Sequence, residues 1–265
     1  MRYSFILMDR LATIDAPDGL RRIFRMLRDA GYAGVELNLT EPLGIDPDLL
    51  ERLLAETGLV VPSFLTGEAY HDGLCLSAVD PARRQGATER LISYLPTAKR
   101  FGSILVVGLL QGTRRDEPDE RVAHARIVES LRPVARAAEV AGVELVIEPV
   151  NHLQVGFHNS VAEVMGLIDE IGSPAIRPMV DSIHMNIEEA SLTRPILDLG
   201  SRLRHVHLCE NHGGQFGTGL IDFASILQAL RTIQYDGFAS VKVYRKLSLD
   251  VAAKTSLAHL QALSQ

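Results

Sequence analysis

Short apolar runs alternate with longer amphipathic stretches along the whole chain. The runs fall at residues 4–8, 34–38, 59–65, 104–110, 143–150, 176–183, 203–209 and 238–244. They are apolar on both sides of the pleat, as parallel strands buried on both faces must be. Between them the apolar positions recur at helical spacing, as in Leu20, Ile23, Phe24 and Leu27, or Leu49, Leu50, Leu53 and Leu54. Asp46-Pro47 and Asp80-Pro81 open helices, and Gly31, Gly58 and Gly102 close them. Further helices are predicted over residues 120–141, 160–171, 195–199, 222–233 and 250–263, and residues 66–77 read as polar and irregular.

Eight strand–helix units in 265 residues match one (β/α)8 TIM barrel, a fold that typically takes about 250 residues. The rival is a doubly wound open sheet. It normally carries a Gly-rich turn after its first strand, and Asp9-Arg10-Leu11-Ala12 is no such turn. There is no linker or composition break, so residues 1–265 read as one domain, with the active site expected at the C-terminal ends of the strands.

Composition narrows the classes of partner. The chain is 46% hydrophobic and 23% charged, with a net charge of −6. The acidic balance argues against nucleic acid as a partner. No apolar run approaches the roughly 20 residues of a membrane span, and the first apolar stretch meets Asp9 before any cleavage-like site. Cys75 and Cys209 lie far apart in sequence, so no disulfide framework is expected and a reducing cytoplasm is the expected location. Of 27 basic residues only four are lysines: Lys99, Lys242, Lys246 and Lys254. A lysine in an unusual place therefore stands out.

The strand ends carry the candidate chemistry. Strand two carries Glu36, and the loop after strand three carries Glu68 and His71. Strand four ends near Gln111. Strand five carries Glu148, followed by Asn151, His152 and Gln154. Strand six delivers Asp181, His184 and Asn186; strand seven delivers His205, His207 and Glu210; strand eight delivers Lys242. Glu36, Glu68, His71 and Glu210 are expected to bind substrate. His205 and His207 share a face at i, i+2, with His207 nearer the strand end and His205 supporting it from the layer below. Glu148, Asp181 and His207 form a hard O/N set of the kind that binds a divalent cation. The competing reading is a hydrogen-bonded polar plug. Buried carboxylates need a positive partner, which is either a metal or Lys242.

Four stretches in order carry a family resemblance: Gly34-Val35-Glu36-Leu37, Val146-Ile147-Glu148-Pro149-Val150-Asn151, the run from Val180 through His184 to Glu189, and His205-Val206-His207 through Asn211 with residues 217–223 after it. Along its whole length the chain resembles the xylose isomerase-like TIM barrels, in particular the ketose 3-epimerase and hydroxypyruvate isomerase group. The resemblance implies a sugar isomerase or epimerase acting on a small ketose, aldose or related hydroxy-carbonyl compound through an enediolate. It implies metal ligands Glu148, Asp181 and His207 for a divalent cation (Mn, Mg, Co or Zn). It also implies acid/base work by Glu148, substrate contact by His184, and a homodimer or homotetramer.

The chain departs from that pattern twice. The strand-eight position of the second acid/base glutamate, also the fourth metal ligand, holds Lys242. After strand five, Asn151-His152-Leu153-Gln154 stands where the group often has Asn-Arg-aromatic-Glu. Three roles for an inward Lys242 follow: second acid/base beside a three-ligand metal, direct replacement of the metal, or a Schiff-base nucleophile. The alternative is a Lys242 that points outward to solvent with Val241 and Val243 inward, which takes the strand-eight position out of the site. The alternative functions are a lyase or aldolase using Lys242, a decayed sugar-binding barrel, and a DNA-repair endonuclease. The last calls for several zinc ions, more His and Glu ligands than can be placed here, and a basic DNA groove. The Gly-rich stretch 213–219 and Arg245-Lys246 read either as an anion-binding rim or as a flexible loop with two solvated charges.

Overall fold

A computed structural model describes residues 1–244 and 247–263; Arg245 and Lys246 lie outside the described residues. The elements run β1 (Arg2–Leu7), α1 (Asp18–Ala30), β2 (Gly34–Asn38), α2 (Pro47–Thr57), β3 (Ser63–Leu65), α3 (Glu68–His71), α4 (Pro81–Phe101) and β4 (Ile104–Val107). They continue with α5 (Glu120–Ala141), β5 (Leu145–Ile147), α6 (Val161–Ile171), β6 (Ile176–Asp181), α7 (Ser182–Glu188) and α8 (Arg194–Leu199), then β7 (His205–Leu208), α9 (Phe223–Thr232), β8 (Phe238–Val241) and α10 (Leu249–Ala262).

The eight strands form a closed barrel in sequence order, every neighbour parallel, with β8 pairing β1 through Ser240↔Ser4. Side-chain oxygens set the helix starts: Asp46 accepts from Leu49 N–H at 2.8 Å, and Ser160 and Glu163 form a reciprocal capping box on α6. Outward-facing strand residues such as Val35, Leu37, Val206 and Val241 pack with Leu20, Phe24, Leu227 and Leu257 of the helices in one large buried cluster.

The inward faces divide into two halves. Ile104, Val106, Val146 and Met179, on β4 to β6, form a small apolar cluster of their own. On the opposite side, Ser4, Glu36, His205, His207 and Ser240 are all buried and polar. The functional chemistry stands above and beside this polar half. Among the described residues, no helix is long and apolar enough to cross a membrane. Both cysteines are free and buried.

Several strand bounds need correction. Residues 182–188, partly read as strand six, are α7, because the Asp181 carboxylate accepts from Ile183 N–H at 3.0 Å and turns strand into helix. Strand four stops at Val107, since Gly108 (φ −123°, ψ −90°) leaves the extended region and a short 3-10 turn over Leu109–Gln111 follows. Strand three is confined to Ser63–Leu65, with an isolated bridge at Val60, and strand eight ends at Val241. The stretch read as irregular contains α3.

Candidate active site

Glu148 follows β5, Asp181 ends β6, His207 lies on β7 and Lys242 follows β8. The side chains of all four converge. Lys242 Nζ donates to Asp181 Oδ2 at 2.8 Å and stands 3.5 Å from Glu148 Oε1. The strand-eight lysine therefore points inward, while Val241 and Val243 are buried on the other face. His207 Nδ1 lies 3.1 Å from Glu148 Oε1 and 3.7 Å from Asp181 Oδ2. His184, the third residue of α7, brings Nε2 to 3.7 Å from the same two oxygens.

Asn151 is a residue that strand-end reasoning noted without assigning a role. Its Nδ2 donates to His184 Nδ1 at 2.7 Å, and its Oδ1 accepts from Leu153 N–H at 3.1 Å. With Nδ1 accepting, His184 carries its proton on Nε2 and aims it at the carboxylates.

Beneath lies a second buried cluster. His205 Nε2 donates to Glu36 Oε1 at 2.7 Å, and His207 Nε2 donates to Glu36 Oε2 at 3.1 Å. Ser240 Oγ also donates to Glu36 and lies 2.6 Å from Ser4 Oγ. Glu36 thus acts on His207 from below and does not line the cavity.

The charges follow from these contacts. Burial works against ionisation of Glu148, yet the Lys242 charge and the His207 hydrogen bond bring its carboxyl down to about 2. Burial opposes Asp181 likewise, and Lys242 and His184 hold it well below the usual carboxylate range. Burial works against the Lys242 ammonium, but Asp181 and Glu148 override it and raise its pKa. For His207, burial is overcome by Glu36, Asp181 and Glu148, which raise it well above the ordinary histidine value; for His184, burial wins and the ring is held neutral. Three carboxylates (Glu36, Glu148, Asp181) therefore face two cations (His207, Lys242).

A cavity of about 250 Å³ opens above this cluster. Glu148, His184, His207 and Lys242 reach its floor, and Asn38, Glu68, His71, Gln154 and Tyr244 line its walls. Glu68 is ion-paired with Arg10 at the lip. Of the expected substrate contacts, Glu68, His71 and His184 border the cavity, whereas Glu36 and Glu210 do not.

Glu210 has turned away from the barrel. Its carboxylate accepts from Asn211 N–H at 3.1 Å, Gly217 N–H at 3.1 Å and Ile221 N–H at 3.0 Å. It is therefore the internal anion around which the Gly-rich loop closes, and the Gly217 amide is not free for a ligand. Replacing Glu210 by Ala leaves three amides to find new partners, and a cost of about 2–3 kcal/mol is expected. Hydrogen exchange should accelerate at Gly217 and Ile221, while the amide of Glu148 keeps its protection.

Gly108 was also missed. A Cβ there would stand 2.5 Å from Glu148 Oε2 and 3.1 Å from Val150 Cγ2. The bare backbone leaves room for the carboxylate, and the glycine within an apolar run is the signal that marks it. Gly108→Ala should displace Glu148 and lower kcat/KM by about tenfold or more. Far-UV circular dichroism should be unchanged.

Among the described residues, two groups meet the distance condition for holding a cation: Glu148 with Asp181 and His184, and Glu36 with His205 and His207. In the upper group, Glu148 Oε1 and Asp181 Oδ2 already face the Lys242 ammonium, and His184, whose Nδ1 accepts from Asn151, turns its Nε2–H to them; His207, beside the group, has a carboxylate at each ring nitrogen. A divalent ion does not fit this donor set while Lys242 stays in place.

The comparisons with known proteins agree with this architecture. A family model described as xylose isomerase-like TIM barrel matches residues 24–263. The ketose 3-epimerase of Arthrobacter globiformis is 30% identical over 223 residues, 83% of this chain and 76% of the relative. The L-ribulose 3-epimerase of Methylomonas sp. (strain DH-1) is 30% identical over 249 residues, 91% of this chain and 86% of the relative. The crystal structure of a Methylomonas D-allulose 3-epimerase in complex with D-allulose superposes with a TM-score of 0.83 at 27% identity, covering 99% of this chain and 96% of the other.

Proposed function

Because the chain belongs to the xylose isomerase-like TIM-barrel family, we propose that it is a carbohydrate isomerase or epimerase whose acid/base groups are Glu148 and Lys242. The observation that carries this reading is the pairing of an ionised carboxylate with an ammonium 3.5 Å away on the floor of a sugar-sized cavity. The named sugar epimerases among its relatives support it.

The substrate is a small sugar or hydroxy-carbonyl compound. Its carbonyl oxygen is received by the N–H groups of Lys242 and His184. Glu148 removes the proton from the neighbouring carbon, and the carbonyl π electrons move onto oxygen to give an enediol or enediolate. Lys242 and His184 stabilise the oxygen as its charge grows, in a site shielded from bulk water. Return of a proton to carbon yields the isomer or epimer. Return from Glu148 restores the carboxylate directly; return from Lys242 leaves a neutral amine beside a protonated Glu148, and passage of that proton from Glu148 to Lys242, 3.5 Å away, restores both groups. Asn151 fixes the His184 tautomer, and Glu36 with His205 holds His207 against Glu148.

A Schiff-base lyase needs a neutral amine. The two carboxylates hold Lys242 as an ammonium, which favours the proton-transfer reading. Lys242 occupies the place between Glu148 and Asp181 that a divalent cation would need.

The test is turnover of a panel of ketopentoses, ketohexoses, aldoses and keto-glycosides, followed by chromatography and NMR. Interconversion of at least one aldose–ketose or epimer pair is expected. A panel left unchanged would contradict the proposal.

A further inference from the structure

We infer that Lys242 is the resident cation of this site and that the protein works without a divalent metal. The inference deepens the proposed function and rests on it for the part played in turnover.

The argument is geometric. A cation bridging Glu148 and Asp181 must approach Glu148 Oε1 and Asp181 Oδ2, the two oxygens on which the site converges. The Lys242 ammonium reaches both, at 3.5 and 2.8 Å. Its stem lies on the inward face that Ser240 shares, and Val241 and Val243 on either side of it are buried under the helices, so the backbone cannot rotate the side chain outward without exposing them. The lysine side chain itself is 16% exposed, enough to touch a ligand in the cavity.

The third donor is committed too. A histidine that ligates a metal must present a bare nitrogen. His207 has a carboxylate 3.1 Å from each ring nitrogen, Glu36 on one side and Glu148 on the other. Each ring nitrogen thus already has a carboxylate as its partner. An ammonium has what the site needs in place of a metal: positive charge between two carboxylates, and three N–H donors, one of which can turn to a carbonyl oxygen. It has no lone pair to give a metal, which is why a strand-eight carboxylate would admit a metal and this lysine does not.

The experiment reads metal content apart from activity. Purified wild type is equilibrated with Mn2+, passed through gel filtration and assayed by elemental analysis, beside Lys242→Glu and Lys242→Met. Wild type is expected to retain no stoichiometric Mn2+. Lys242→Glu, with a third carboxylate at the oxygens, is expected to retain about one equivalent, as a closed O/N set does. Should Lys242→Glu fail to fold, Lys242→Met serves: its melting temperature should rise with Mn2+, and that of wild type should not. Wild type that holds one Mn2+ per chain overturns the inference, as does a folded Lys242→Glu that binds no more Mn2+ than wild type. A wild type that is metal-free but turns over no sugar would sink the proposed function instead. If wild type is active, full activity after EDTA treatment is expected, and its loss would overturn the inference.

Discussion

Glu148→Gln is expected to lower kcat/KM by about 10²–10⁴-fold, the range over which a positioned acid/base group contributes. The amide is nearly isosteric, so the cavity keeps its shape, but it can neither take a proton from carbon nor return one. It also weakens the attraction that holds Lys242 and His207. The expected signature is a loss mainly in kcat, because the cavity-wall residues Glu68, His71 and Gln154 are untouched. Steady-state kinetics on the best substrate, with circular dichroism to verify folding, make the check. A Glu148→Gln variant within tenfold of wild type would remove Glu148 from the chemistry.

Lys242→Met is expected to be inactive and to lose about 3 kcal/mol of stability at neutral pH, since removing one partner of a buried ion pair leaves the other uncompensated. Here two carboxylates lose their cation. The pH dependence supplies the sign. In wild type the folded pKa of Glu148 is depressed to about 2 from an ordinary value of 4.5. Its contribution is therefore present above pH 4.5 and is lost as pH falls towards 2. Without Lys242 that depression shrinks, so the variant has less to lose. The gap between wild type and Lys242→Met should be widest at pH 6–8 and should narrow below pH 4.5. Urea titrations from pH 3 to pH 8 read it. A gap that stays constant across this range would show that the lysine acts through packing alone.

The barrel and much of this site are legible in the sequence because they rest on alternation and punctuation. Ser240 and Lys242 share one strand face and Val241 and Val243 the other. Alternation alone leaves two settings, lysine inward or valines inward, and the burial of Val241 and Val243 in the core beneath the helices decides for the first. His205 and His207 sort by the same rule, one below the other. What alternation does not give is height along the barrel axis. Glu36 points inward as expected, but its carboxylate meets the His205 and His207 rings below the cavity floor. That depth depends on the stagger between strands two and seven, which are separated by β1 and β8 around the barrel. Alternation also ends with the strand. Glu210 lies two residues beyond Leu208, where the chain has left the sheet, and its direction is set by the loop it organises. Asp181 is a third kind of case. An apolar run through Ile183 reads as strand to its end, and only the carboxylate accepting from Ile183 N–H reveals the turn into α7. That turn is what swings His184 over the two carboxylates.

The central claim is proton transfer at a carbon beside a carbonyl, with Glu148 as the base. It is tested most directly by incubating the wild-type protein in D2O with its best ketose and following the substrate carbons by 1H and 13C NMR. The account predicts deuterium entering at one carbon next to the carbonyl, in both recovered substrate and product, and no such exchange with Glu148→Gln. Product that forms with its carbon-bound hydrogens fully retained would contradict it, as would exchange that survives in Glu148→Gln.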